Sequence, residues 1–424
     1  MLNAPQIDIL SAPYSYGISR TVSVGFQPHG PADSLTTAGK LFVHEDDTRT
    51  CLCGAEPACA SDPFWKAHNL SDSVALIRRN GLTAVLRGNG LYYFDLYGYG
   101  WFGRPDSRGT SEALWRAVSS VVEAAQRLDH SQPTAFLPQV LVFVDELSNS
   151  HTPAAGAAGP HAYTVATSIL ADSVTELTLL GAPVRLHLLS DVTSATFSTD
   201  GARLCVLLNA FALTNATRAA IATRLLGGGR TVVFVHAAGL LDAEATSLRA
   251  DPAHISALLG LSVREHAGAS SLQTRLSASL GGGSYGLDVP LAPWFSVSDP
   301  DARTQTLGTY TQDSSPSLVR KAFADHTVVY SGSPGLPASL WRTLAQQAGV
   351  HIFSSVFGDV VEAAGNSLML FTATVDGMRT VTLPETMQRV VEDVGGGNEI
   401  LLCTACSSFQ ASLPAREVRL YRWS

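Results

Sequence analysis

Lys40–Asp47 is the segment that most narrows what this chain can fold into. A strand-like run, Lys-Leu-Phe-Val-His, closes there on three consecutive acids, Glu45, Asp46 and Asp47. A stretch of helical period follows at Ser71–Asn80. A second strand-like run, Leu91–Leu96, then passes Asp95 into the aromatic, glycine-punctuated segment Tyr97–Phe102. Strand, loop, helix, strand, with polar and aromatic residues gathered at the carboxyl ends of the strands, is the order of a β/α barrel, which places its active site at that end. The pattern predicts the closing part of such a barrel over residues 1–132, with the opening strands expected before Met1.

Composition removes several classes of function. At 424 residues with 46% hydrophobic side chains, the chain is long enough for several domains with sizeable cores. A net charge of −8 and the absence of a Lys/Arg-rich block argue against nucleic acid or an anionic membrane as partner. No apolar run approaches the ~20 residues that span a bilayer. Cys51, Cys53 and Cys59 share one loop, Cys403 and Cys406 form a C-x-x-C, and Cys205 lies alone in an apolar run. A disulfide within the Cys51–Cys59 loop, free thiols and a zinc site are all open on these spacings, zinc being the least suited. The sequons at Asn69 and Asn215 fix no compartment.

Beyond the first part, Thr110–Leu128 has helical period and leads to a different unit. Gln139–Val144, Pro183–Leu189, Ala202–Asn209 and Arg230–His236 are apolar, β-branched runs of the kind buried on both faces of a sheet. Helical stretches at Ala162–Leu180 and Ala216–Leu226 separate them. The alternation predicts a mostly parallel, doubly wound domain over 133–351. Between about Ala238 and Leu318 the signal weakens to short helical stretches, before a strand at Thr327–Tyr330 and a helix at Ala338–Ala348. From Ile352 only short strand-like segments remain, which predicts a small all-β sandwich over 352–424.

The order of these parts resembles glycoside hydrolase family 42 and related β-galactosidase-like enzymes. The segments that carry the resemblance are Gly39–Thr50, Leu91–Leu96 with Gly100–Phe102, Phe143–Glu146, Leu180–Val184 and Leu204–Phe211. The resemblance implies a β/α barrel of which Ile7–Leu10, Lys40–His44 and Leu91–Leu96 are the last three strands, a flavodoxin- or amidotransferase-like trimerisation domain, and a C-terminal β-sandwich. It implies a retaining mechanism on β-galactoside-like substrates without a cofactor or metal. Glu45 takes the place of the nucleophile, and the acid/base glutamate belongs to a strand outside this chain.

A retaining glycosidase needs two carboxyl groups about 5–5.5 Å apart. Neighbours on a strand point to opposite sides, so Glu45 and Asp46 cannot both face one sugar, whereas Asp47 could share the side of Glu45. Asp47 and Arg49 are candidates to bind sugar hydroxyls, alongside Asp95 and Tyr14. Trp101, with Tyr97 and Tyr99, could stack against a sugar ring. The plainer reading makes Glu45–Arg49 a charged turn and the aromatics core filler. His44 should turn away from Glu45 into the core. Cys205 lies mid-strand without the elbow a nucleophile needs, which argues against an amidotransferase. The alternative to an enzyme is a non-catalytic carbohydrate-binding or oligomerisation protein, its partners a saccharide, further copies of itself in a trimer, or a missing amino-terminal barrel half.

Overall fold

In the computed structural model, residues 4–53, 65–95, 100–104, 108–128, 137–151, 165–246 and 250–424 are described. The chain divides into two compact units. One comprises Met1–Leu137, Thr178–Pro183 and His351–Ser424, the other Pro138–Leu177 and Val184–Val350.

The first unit opens with a three-stranded parallel sheet of β1 (Ile9–Pro13), β2 (Leu41–Asp46) and β3 (Gly90–Tyr93), in that order. Residues of β2 alternate between its two sides: Phe42, His44 and Asp46 are buried, whereas Leu41 is exposed and Val43 and Glu45 half-buried. Helix α1 (Ala32–Thr37) precedes β2, and α2 (Leu70–Leu86) links β2 to β3. The Asn69 side chain caps α2 by accepting from the Asp72 N–H at 2.8 Å, which satisfies one of the free donors at a helix start. At Gly81 this helix passes so close to its neighbours that an added Cβ would lie 2.6 Å from the Tyr93 hydroxyl and from a Val121 methyl. Helix α3 (Thr110–Arg127) buries Leu114, Ala117, Val121 and Ala124, a single stripe at helical spacing.

The second unit is built on a nine-stranded sheet. Its parallel part consists of β4 (Val140–Val144), β5 (Val184–Leu188), β6 (Leu204–Leu207), β8 (Thr231–Val235) and β16 (Thr327–Ser331); β7 (Ala212–Leu213) and β9 (Leu241–Asp242) form a small pair apart from it. Taken in chain order, the five parallel strands lie 2-1-3-4-5 across the sheet, the flavodoxin-like arrangement. The region of weak signal, expected to hold short helical stretches, holds one α-helix among its described residues and is otherwise mostly strand. Apart from helix Pro252–Leu259, it holds β10 (Val263–His266), β11 (Ser270–Leu276), β12 (Ser284–Leu291), β13 (Trp294–Val297), β14 (Thr304–Tyr310) and β15 (Pro316–Ala322). β15 pairs antiparallel with β16, and β14, β11 and β12 extend the sheet outward. Ser, Thr and Gly are frequent in these strands, which weakens the alternation that reveals strands elsewhere.

The final segment returns to the first unit. β17 (Asp359–Ala364), β18 (Ser367–Thr372), β19 (Gly377–Gly395), β20 (Asn398–Leu413) and β21 (Val418–Trp423) form one antiparallel sheet in the order β17-β18-β21-β19-β20, where two stacked sheets were expected. The register of β19 against β20 breaks between Thr382 and Met387, and Phe353–Ser355 bonds back to Thr380 and Thr382. The bend lets one sheet enclose its own core of Phe353, Leu370, Val381, Phe409 and Tyr421. Its other face, with Val360, Met369, Phe371 and Leu420, shares an apolar core with Ala75 and Leu82 of α2 and Val121 of α3. Arg87 to Glu362 at 2.8 Å and Arg127 to Asp393 at 2.9 Å add ion pairs across the same contact. The first and last parts of the sequence therefore belong to one unit. Cys403 and Cys406 are disulfide-bonded, Cys53 is disulfide-bonded, and Cys51 and Cys205 are free.

Candidate active site

Glu45 is the last residue but one of β2, near the carboxyl end of the parallel sheet, on the face where Ile9 and Leu41 are exposed. β3 sets its neighbour: the register pairs Glu45 with Tyr92, whose hydroxyl donates to a Glu45 carboxylate oxygen. The hydrogen bond to that carboxylate raises the Tyr92 phenol above its ordinary range. Donation by the phenol orients the carboxylate. Ile9, Leu41 and Tyr92 share the open side of the sheet and are 58%, 41% and 41% exposed.

The opposite side is a closed polar network. Asp46 is fully buried and accepts from the Thr48 N–H at 3.0 Å, from the Thr48 hydroxyl, and from Asn80 at 3.2 Å. Burial outweighs these bonds and pushes its carboxyl up to about 6. Thr48 also bonds the Tyr14 hydroxyl at 2.8 Å, and the Asn80 side-chain oxygen accepts from Arg79. Arg79 in turn binds the carbonyls of Ser19, Thr21 and Val24 and so pins the loop after β1. His44 packs between Phe26 and Phe42, and burial lowers it to about 3; it is a core histidine.

Most of the other expected site residues serve as framework. Asp47 is paired with Arg20 at 2.5 Å, and the Arg20 guanidinium lies 4.4 Å from the Tyr14 ring centre and 3.9 Å from that of Tyr16. Tyr14 is wholly buried against Phe26, which corrects its reading as a sugar contact. Trp101 is 1% exposed, in a core with Ile77, Phe102 and Leu114, so its ring is no open stacking platform. Arg49 lies over that ring at 5.5 Å from its centre. Asp95 is exposed and braces the same loop by accepting the Trp101 N–H at 3.0 Å. Tyr97 and Tyr99 lie outside the described residues. The sequence reading missed Tyr92, although its place opposite Glu45 follows from aligning the two strand ends. It also missed Arg20, Arg79 and Asn80, which nothing in the local pattern marks.

In the other unit, Cys205 is buried in β6 and burial pushes its thiol up to about 12, so it behaves as a small hydrophobe. Asp145 caps the short helix after β4 by accepting the Ser148 N–H at 2.9 Å. Among the described residues no cluster of three or more His, Cys, Asp or Glu side chains could hold a metal, and no helix is long and apolar enough to cross a membrane.

These features define a mixed α/β protein with several sheets. Solved structures give the comparison more narrowly. The β-galactosidase of Rahnella sp. R3 matches with a TM-score of 0.63 at 15% identity, over 99% of this chain and 60% of that one. The β-galactosidase of Bacillus circulans sp. alkalophilus gives 0.60 at 14% identity, over 95% and 62%. A GH42 β-galactosidase from G. stearothermophilus gives 0.59 at 14%, over 93% and 61%. The likeness to family 42 read from the sequence is thus shown as a likeness of fold, and the chain spans about three fifths of the length of these structures. No family model and no curated protein matches the sequence.

Proposed function

We propose that this chain is the carboxy-terminal part of a retaining, β-galactosidase-like glycoside hydrolase in which Glu45 is the nucleophile. The observation that carries the reading is the Glu45 carboxylate on the more exposed face of β2, held by the Tyr92 hydroxyl. In double displacement, Glu45 would attack the anomeric carbon while a second carboxylic acid protonates the leaving oxygen. Neither neighbouring acid can fill that second role, because Asp46 points into the opposite side and Asp47 is bound to Arg20. The acid/base group therefore comes from further strands, and β1–β3 are the closing strands of a barrel whose other members cover Ile9, Leu41 and Tyr92. The doubly wound unit is the part that would join copies into a trimer.

The test is hydrolysis of a chromogenic β-galactoside by this chain joined to its upstream coding sequence. Glu45→Gln should lower kcat by roughly 10³-fold or more, and azide should restore turnover to Glu45→Ala. Undiminished activity in Glu45→Gln would end the reading. A second reading rests on Asp46 and Asp47 being engaged away from Glu45: acting alone, the chain would bind saccharide or assemble without hydrolysing it.

A further inference from the structure

We propose that a cleft beside the start of α2 binds a saccharide bearing a negative charge, of the uronate kind. This rests on the reading of the chain as part of a carbohydrate-active protein. The cleft has a volume of about 140 Å³ and is walled by Arg20, Trp65, Lys66, His68, Asp72 and Arg416, among others. Its charges do not balance. Arg20 is paired with Asp47 at 2.5 Å, and Arg416 lies 3.3 Å from both carboxylate oxygens of Asp72. Among the described residues the Lys66 ammonium donates to the neutral Cys53 carbonyl alone, at 3.3 Å. Among the described residues three cations thus face two carboxylates, and the remaining positive charge sits on a side chain with donors to spare.

The rest of the wall suits a sugar. Trp65 is 43% exposed and offers an apolar ring to the C–H face of a pyranose. Trp65 and Arg416 are both held at positive φ, 52° and 62°, which is costly for residues with side chains and concentrates at ligand sites. The Ala67 N–H donates to the Arg49 carbonyl at 2.8 Å, so the cleft adjoins the segment that follows Glu45. A carboxylate on the sugar would take a charge-assisted hydrogen bond from Lys66 that a neutral hexose cannot.

Calorimetric titration of the full chain with galacturonate, galactose and acetate tests this. Galacturonate should bind about tenfold more tightly than either of the others. Lys66→Gln should reduce its advantage over galactose to within about twofold, and Lys66→Arg should keep it; an unchanged melting temperature shows that the variants are folded. Equal binding of galacturonate and galactose, or an advantage that survives in Lys66→Gln, overturns the proposal. Galacturonate binding no better than acetate also overturns it, since the cleft would then take any small anion. Galactose binding without uronate preference would leave the carbohydrate reading intact, while a Glu45→Gln variant with full hydrolytic activity would strike that reading and not the cleft.

Discussion

The three-stranded sheet and the parallel part of the nine-stranded sheet differ in what lies on their faces. In the nine-stranded sheet β6 and β8 are buried along their whole length and β4 along all but its last residue, as parallel sheets generally require. In the three-stranded sheet one face is closed by helices and a polar network, and the other exposes Ile9, Leu41 and Tyr92 around Glu45. The contrast teaches that a parallel sheet can leave one face partly open, and that the Glu45 carboxylate lies on that face of the small sheet.

The contrast can be broken most forcefully at its covered end. Phe234→Ala in β8 should cost about 3–5 kcal/mol in urea unfolding of the second unit, because a fully buried ring leaves a cavity. A cost below about 1 kcal/mol would mean that the large sheet is not packed as described.

A sharper test lies on the closed face of the small sheet, where two buried groups titrate in opposite senses. Asp46, raised from 3.8 to about 6, favours the folded state when protonated, so its contribution is present below pH 4 and is lost as pH rises to 6. His44, lowered from 6.5 to about 3, favours the folded state when neutral, so its contribution is present above pH 6.5 and is lost as pH falls toward 3. Between pH 4 and 6 the two nearly cancel. Asp46→Asn should therefore make stability rise with pH by roughly 2–3 kcal/mol relative to the parent over that window, and His44→Gln should make it fall. Urea midpoints at pH 4, 5 and 6 read the difference directly; parallel curves for parent and variants would refute the buried network. At the open end, Leu41→Ser should cost less than about 1.5 kcal/mol in this chain, because a side chain two fifths exposed has only part of its burial to lose. A larger loss would show that the open face is covered after all.

How far the sequence could be read depended on how strongly each segment repeats its own pattern. β4, β6 and β8 were legible because unbroken β-branched runs fit only a doubly covered strand, and α3 because its apolar residues recur at helical spacing. β10–β15 were not, since antiparallel strands rich in Ser, Thr and Gly carry little periodic signal. At the candidate site, alternation along β2 alone separated Glu45 from His44 and Asp46. The burial of Tyr14 and Trp101, and the capture of Asp47 by Arg20, arise from loops whose placement depends on residues far off in sequence. The pairing of the first and last segments was illegible for the same reason.

That pairing also has a consequence during synthesis. Arg87 and Glu362 are 275 residues apart, and the apolar stripe of α2 and α3 has its cover in β17, β18 and β21. At about 5–20 residues per second, a ribosome needs some tens of seconds to deliver that cover. Throughout the interval the second unit can form while the helices beside Glu45 keep an uncovered apolar flank, so the nascent chain is most in need of a chaperone at the part that carries its candidate chemistry.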